Sequence, residues 1–173
     1  RRQRQMCIRD RGTHSARMGC VRLTERIMRT DPPTESEIEI ASEYVGERTA
    51  EVEKIVPISK ARTIVGCAGT FTTLSALAQG LERYDADAIH GSELRFDALR
   101  VLLQQLISLP SDVRALNPVI HPGRADVIGG GAVAVEGIMQ LIERNCDARS
   151  FFISEKDILD GIIAGLAAEG TPR

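Results

Sequence analysis

The stretch Thr63-Ile-Val-Gly-Cys-Ala-Gly-Thr70-Phe-Thr-Thr-Leu-Ser-Ala-Leu-Ala78 decides the fold class of this chain. Arg62 to Val65 is a short run ending in β-branched residues that reads as a buried strand, bounded by Gly66. Phe71 to Gln79 reads as a helix that ends near Gly80. A strand, a glycine turn and a helix start in close succession point to an α/β protein, and they are also how many proteins hold a phosphate.

Two readings of Gly66, Cys67, Ala68, Gly69 and Thr70 stand side by side. In one, the glycine turn lets backbone N–H groups approach a ligand, and a helix beginning near Thr70 adds unpaired donors and a positive dipole end, so an anion is favoured there. In the other, the turn is purely structural and Thr70 is the N-cap. The stretch has neither the Gly-Lys pair of a P-loop nor the spacing of a dinucleotide fingerprint.

On the N-terminal side, Ser15 to Glu25 carries loosely alternating apolar residues (Met18, Cys20 or Val21, Leu23), a pattern that predicts a strand leading into a turn or short helix. Asp31-Pro-Pro-Thr34 breaks the chain, and Thr34 with Glu37 makes a capping box. The helix beyond it puts Ile38, Ala41, Val45, Val52 and Ile55 on one stripe and ends before Pro57.

On the C-terminal side, Phe96, Leu99, Leu103, Leu106 and Ile107 repeat at helical spacing and stop before Pro110. A short helix is predicted over about Asp112 to Leu116. His121-Pro-Gly-Arg-Ala-Asp-Val-Ile-Gly-Gly-Gly131 opens another that continues through Val135, Ile138, Met139 and Ile142. Three successive glycines inside a helix cost roughly 1 kcal/mol each against alanine, so Gly129, Gly130 and Gly131 predict a break or a very close packing contact. Arg124 would pair with Asp126 or with a phosphate, or else the glycines only permit tight packing on the Gly66 turn. Ser150 to Ser154 reads as a strand. Ser154 and Asp157 form a capping signature for a closing amphipathic helix through Ile158, Leu159, Ile162, Ile163 and Leu166.

The 173 residues suffice for one domain with a core, and 43% hydrophobic content excludes a mainly disordered chain. No apolar run approaches the roughly 18 residues that span a bilayer, and no signal core follows the N-terminal arginines, so a cytoplasmic protein with no membrane partner is expected. Four scattered cysteines lack zinc or redox spacing and fit isolated thiols in a reducing compartment. Aromatic content of 3% and a net charge of −2 argue against nucleic acid as a partner. Residues 1–11 hold five arginines and one aspartate, and removing their net +4 takes −2 to −6. Met6-Cys-Ile-Arg-Asp-Arg11 is the in-frame translation of a transposase-based sequencing adaptor end, ATGTGTATAAGAGACAG, so residues 1–11 are expected to be a scar.

No complete active site is visible. His14, His90 and His121 are scattered, with no Cys/His or Ser/His arrangement, and read as surface or loop histidines. Glu25, Asp126, Glu136, Glu155 and Asp157 lack metal-ligand spacing. Neither catalytic nor metal-binding residues are assigned to this chain.

Four stretches together resemble the Ppx/GppA family of exopolyphosphatases and guanosine pentaphosphate phosphohydrolases, in particular its actinobacterial branch. They are Gly19 to Glu25, Thr63 to Ala76, His121 to Ala132 and Ile153 to Ile163, and they extend the resemblance from about Ser15 to Leu166. The resemblance implies an actin-like, ribonuclease H-like fold of two α/β lobes with the active site between them. It implies that Gly66 to Thr70 is the adenosine-motif segment on the phosphate or nucleotide side, and that Arg124, Asp126, Gly129, Gly130 and Gly131 belong to the connecting segment at the lobe junction. Cys67 and Ser15-Ala-Arg-Met18 depart from the family pattern.

The family's Asp-x-Gly-Ser-Asn and Asp-x-Gly-Gly-Gly-Ser phosphate loops do not occur here. The resemblance therefore implies that residues 12–173 are a C-terminal lobe entering at its third strand, with its first two strands and the catalytic acidic residue elsewhere. For the intact enzyme it implies Mg²⁺ as cofactor, polyphosphate or a guanosine polyphosphate as substrate, and a homodimer. A sugar or acetate kinase lobe, or a non-catalytic module that binds an alarmone or a partner, are the competing readings. With the family strand order 3-2-1-4-5, losing strands 1 and 2 would split the sheet and leave unpaired edges.

Overall fold

A computed structural model describes residues 12–169, so residues 1–11, including the adaptor-like run, lie outside the described residues. Three short strands form one mixed sheet: β1 (Val65–Cys67), β2 (Glu93–Arg95) and β3 (Ser150–Ser154), in the order β1-β3-β2. β1 runs parallel to β3 with Val65 opposite Phe152, and β2 runs antiparallel to it with Leu94 opposite Phe151. A parallel pair needs a long crossover, which the helices between residues 68 and 145 supply. The pleat turns Gly66, Leu94, Phe151 and Ile153 inward and leaves Val65 and Phe152 on the open face at 59% and 41% exposure.

The helices are α1 (Cys20–Arg26), α2 (Glu35–Ile55), α3 (Ala68–Ala78), α4 (Ala86–Ile89), α5 (Phe96–Ser108), α6 (Ser111–Ala115), α7 (Ile128–Asn145) and α8 (Ile158–Glu169). α7 is central and packs against α1, α2 and α5, while α3 lies on all three strands. The aromatic heart of the inner sheet face is Phe151, edge-on to Phe71 and tilted against Phe96, each at 4.9 Å. α5 buries the Phe96, Leu99, Leu103, Leu106 and Ile107 stripe that its spacing predicts. α2 opens with the predicted capping box, Thr34 accepting from Glu37 N–H and Glu37 accepting from Thr34 N–H. It buries Ala41, Val45 and Thr49, but Ile55 stays exposed.

Several expectations are corrected. Ser15 to Glu25 forms no strand: Cys20 onward is α1, because Leu23 is buried where that helix lies directly on α7. With no strand there, the sheet is not split: the strands among the described residues form a single sheet. β1 starts at Val65 rather than Arg62 and contains Gly66 instead of ending at it. α3 starts at Ala68 with Cys67, not Thr70, as N-cap. The segment after His121 first makes a 3₁₀ turn, Pro122–Arg124, and α7 begins only at Ile128. At the last helix Asp157 does the capping, accepting from Leu159 N–H at 2.8 Å, while the Ser154 hydroxyl bonds Lys156. α8 does not close on the body, since its large aliphatic side chains are exposed.

Candidate functional site

The strand-to-helix passage at residues 65–70 has no loop. Cys67 ends β1 in extended conformation and caps α3 without a side-chain hydrogen bond. Ala68 follows at φ 68°, a left-handed conformation that costs a non-glycine residue roughly 1 kcal/mol. The first N–H groups of α3 therefore have no side-chain cap and carry the positive end of the helix dipole.

Arg124 lies over this helix start. A Cβ built on Gly69 would fall on the Arg124 guanidinium, so only glycine lets the arginine lie against the first turn of α3. Arg124 is carried by the 3₁₀ turn at Pro122–Arg124, whose Gly123 N–H donates to His121 Nδ1 at 3.1 Å. Among the described residues Arg124 makes no ion pair with Asp126, so the predicted pairing does not form.

The three glycines that open α7 do not break it. They bring three other segments against it. A Cβ on Gly131 would sit 3.0 Å from the Thr70 side chain, and one on Gly130 would sit 2.8 Å from the backbone oxygen of Cys20. Gly129 faces the Arg114 guanidinium, with a Cβ there 3.0 Å from Nη1. The close-packing reading of these glycines holds, and it includes contact with the segment after Gly66.

A cleft of about 530 Å³ lies beside the Gly69–Arg124 and Gly131–Thr70 contacts. Cys67, Ala68, Gly69, Thr70, Gly123, Arg124 and Gly131 line it together with the apolar side chains of Met18, Val21, Val135 and Ile138. The predicted residues do not all converge there. Gly66 is covered by the Phe71 ring, which occupies the place its Cβ would take. Asp126, Gly129 and Gly130 line a separate cavity of about 100 Å³ with Thr24, Asp31 and Arg114.

Two polar groups here were not singled out by sequence reasoning. Arg114 is only 4% exposed and donates to the backbone oxygens of Leu109 (2.9 Å) and Ala125 (2.7 Å) and to Asp31 Oδ1 (3.2 Å). Burial lowers its pKa, opposed by the charges of Asp31 and Asp126. Asp31 in turn is held below the usual carboxylate range, chiefly by the Ser111 hydroxyl. Tyr84 donates to Glu155 Oε1 at 2.5 Å, and Glu155 N–H donates to His90 Nδ1 at 3.2 Å. Burial, then the Glu155 bond, pushes the Tyr84 hydroxyl up, while Thr72 and the charge of Arg124 pull it down. Tyr84 lies in a polar, aperiodic stretch, so no sequence signal pointed to it.

No group of three or more His, Cys, Asp or Glu side chains among the described residues is placed to hold a metal ion. No helix among them is long and apolar enough to cross a membrane.

The chain is similar to known proteins in sequence and in fold. Exopolyphosphatase 2 of Mycobacterium tuberculosis (strain H37Rv) is 48% identical over 155 residues, which is 90% of this chain and 49% of that protein. An exopolyphosphatase-like protein of known structure superposes with a TM-score of 0.86 at 36% identity, covering 91% of this chain and 51% of that one. The Aquifex aeolicus member of the Ppx/GppA family superposes at 0.76 with 28% identity, covering 89% and 48%. This chain thus spans about half the length of the relatives it matches. The α/β class and the actin-like architecture expected from the sequence hold, with half of that architecture represented. Residues 10–165 match the Ppx/GppA phosphatase family, and the chain belongs to that family.

Proposed function

We propose that the whole protein hydrolyses the terminal phosphoanhydride bond of inorganic polyphosphate or of guanosine pentaphosphate, and that this chain supplies the phosphate-side wall of the cleft. The observation that carries this reading is the contact of Arg124 with the uncapped start of α3 in the lining of the 530 Å³ cleft. Backbone N–H groups at a helix start and a guanidinium beside them would favour the charge that builds on phosphoryl oxygens as the bond to the leaving phosphate breaks. Water is the nucleophile, and the acidic residue that activates it belongs to the other lobe. In the relatives' reaction class Mg²⁺ would offset phosphate charge, but no donor set for it converges among the described residues, so none of them is assigned as its ligand.

We read residues 12–173 as the C-terminal lobe without its first two strands. Beside β1, whose outer edge pairs with no strand among the described residues, runs an apolar groove of about 850 Å³ lined by Met18, Ile64, Ile138, Leu141 and Ile142. This groove supports seating the lobe's two further strands there. Free thiols at Cys20, Cys67 and Cys146 support a cytoplasmic location.

The test uses a fusion in which the unmatched half of the Mycobacterium Exopolyphosphatase 2 precedes this chain. Phosphate release from polyphosphate is expected without ATP or an acceptor, which separates hydrolysis from kinase chemistry. Arg124→Ala should lower kcat/KM about 100-fold. Gly69→Ala should do much the same, because its methyl takes the place of the guanidinium. Full activity in both variants would remove Arg124 from the site. Running guanosine pentaphosphate in parallel decides between the two substrates.

A further inference from the structure

We infer that Arg114 is a positioning residue for the proposed hydrolysis: it does not line the 530 Å³ cleft, but its buried guanidinium fixes the turn that carries Arg124, and so holds Arg124 against the start of α3. The inference rests on the reading of Arg124 as a group on the phosphate side of that cleft. Arg114 leaves α6 and reaches three separate segments with three nitrogens. Nε donates to Leu109 O at 2.9 Å, Nη2 pairs with Asp31 Oδ1 at 3.2 Å, and Nη1 donates to Ala125 O at 2.7 Å. Asp31 is anchored in turn by Ser111 N–H, 3.0 and 2.9 Å from its two carboxylate oxygens, so both ends of the ion pair are tied to the start of α6.

The contact with Ala125 is the one that reaches the site, because Ala125 directly follows Arg124 and is itself buried. Among the described residues, the other hydrogen bonds of 121–126 close on that segment and on Val127. Arg124 N–H donates to His121 O at 2.8 Å, Gly123 N–H to His121 Nδ1 at 3.1 Å, Ala125 N–H to Pro122 O at 3.4 Å, and Val127 N–H to Arg124 O at 3.1 Å. Such bonds set the shape of the turn but not its place on the body. Arg114 supplies the hydrogen bond that joins it to another element, and the same guanidinium packs on the first turn of α7, where a Cβ on Gly129 would stand 3.0 Å from Nη1. Replacing a whole buried ion pair by apolar side chains is often neutral for stability, so what the pair contributes is geometry: a rigid planar fork fixes its acceptors relative to one another. Two arginines thus flank one short turn, Arg124 towards the cleft and Arg114 towards the interior. A shift of about 1 Å in a group that acts on the reacting atoms can cost roughly 100-fold in rate, so loosening this turn should be read in catalysis.

A double-mutant cycle on the fusion tests this, with phosphate release from polyphosphate measured where circular dichroism shows every variant folded. Arg114→Lys should lower kcat/KM about 10-fold, chiefly through kcat, and should cost less than about 2-fold more once Arg124 is alanine. Val45→Ala loses a buried contact on Gly137 rather than on the turn, and should keep kcat/KM within about 2-fold. Unchanged activity in Arg114→Lys, an undiminished loss in the Arg124→Ala background, or an equal loss in Val45→Ala would each overturn the inference. Hydrogen exchange on the dilute 173-residue chain needs no activity: Arg114→Lys should speed the amides of 123–127 at least about 10-fold more than those of β3. Uniform acceleration, or none, would overturn the inference as well. Should Arg124→Ala keep full activity, or the fusion release no phosphate, the hydrolase reading falls by itself, and the exchange result alone decides whether Arg114 holds the turn.

Discussion

Replacing Arg114 by methionine would strand the buried backbone oxygen of Ala125, take a donor from the part-buried oxygen of Leu109 and leave Asp31 without its cation. Unpaired buried carbonyls cost about 1–3 kcal/mol each, and breaking a part-buried ion pair adds to this, so Arg114→Met should lose about 2–4 kcal/mol in urea unfolding. Arg114→Lys should recover little of it, because one ammonium cannot reach acceptors on three sides. An Arg114→Met variant within 0.5 kcal/mol of the parent, about the scatter of surface substitutions, would contradict this account. The sequence did not show this residue. Arg114 sits in a short polar helix where arginine normally faces water, and its partners stand 11 and 83 positions away. Arg124 was legible for the opposite reason: it lies five to seven positions before the three glycines, whose presence in a helix demanded a close contact. What the sequence could not give is the object over which Arg124 lies, because Gly69 is 55 residues away in the chain.

At the level of elements, helix propensity and packing make opposite forecasts for Gly130. Propensity alone says that Gly130→Ala gains about 1 kcal/mol. The structure puts the new methyl 2.8 Å from the Cys20 backbone oxygen, which cannot swing away as a side-chain end could, so α1 must shift off α7. Overpacking of this kind costs about 1–3 kcal/mol, so the net effect should be destabilising, measured as a lowered midpoint in urea. The capping box of α2 makes a pH forecast. Glu37, held chiefly by the Thr30 hydroxyl and also by Thr34 N–H, has its carboxyl lowered from an ordinary 4.5 to about 2. Its folded-state pKa lies below the unfolded value, so its stabilising effect is complete above about 4.5 and lost as pH falls towards 2. Glu37→Gln keeps an acceptor at the cap but cannot titrate, so its melting temperature should fall less steeply across that window. A residual slope remains from Asp31, which is lowered in the same direction. A parallel pair of curves would exclude Glu37 as the titrating group. Elements were legible where the pattern was long, as in α5 and the capped start of α2. They were not where it was short: β2 has three residues, and the alternation around Met18 to Leu23 gave way to burial of α1 against α7.

Taken as a whole, the described molecule keeps a core yet leaves one edge and one face of its sheet open. The outer edge of β1 pairs with no strand among the described residues, the open sheet face shows Val65 and Phe152, and an apolar groove runs beside that edge. An unpaired edge over apolar surface is a template for strands of another molecule. The 173-residue chain alone should therefore scatter light increasingly with concentration and release no phosphate from polyphosphate. Val65→Lys places a charge at that edge while disturbing no buried contact, since Val65 is 59% exposed. It should suppress the scattering and leave the unfolding midpoint unchanged, because a gatekeeper charge acts on association rather than on the folded core. If scattering persists with Val65→Lys but vanishes with Ile162→Asp, association runs through α8 instead of the sheet edge. A monodisperse 173-residue chain that unfolds cooperatively and releases phosphate would show that one lobe suffices. That outcome would require a base of its own, and Glu155, a carboxylate among the described residues, already accepts a hydrogen bond from Tyr84.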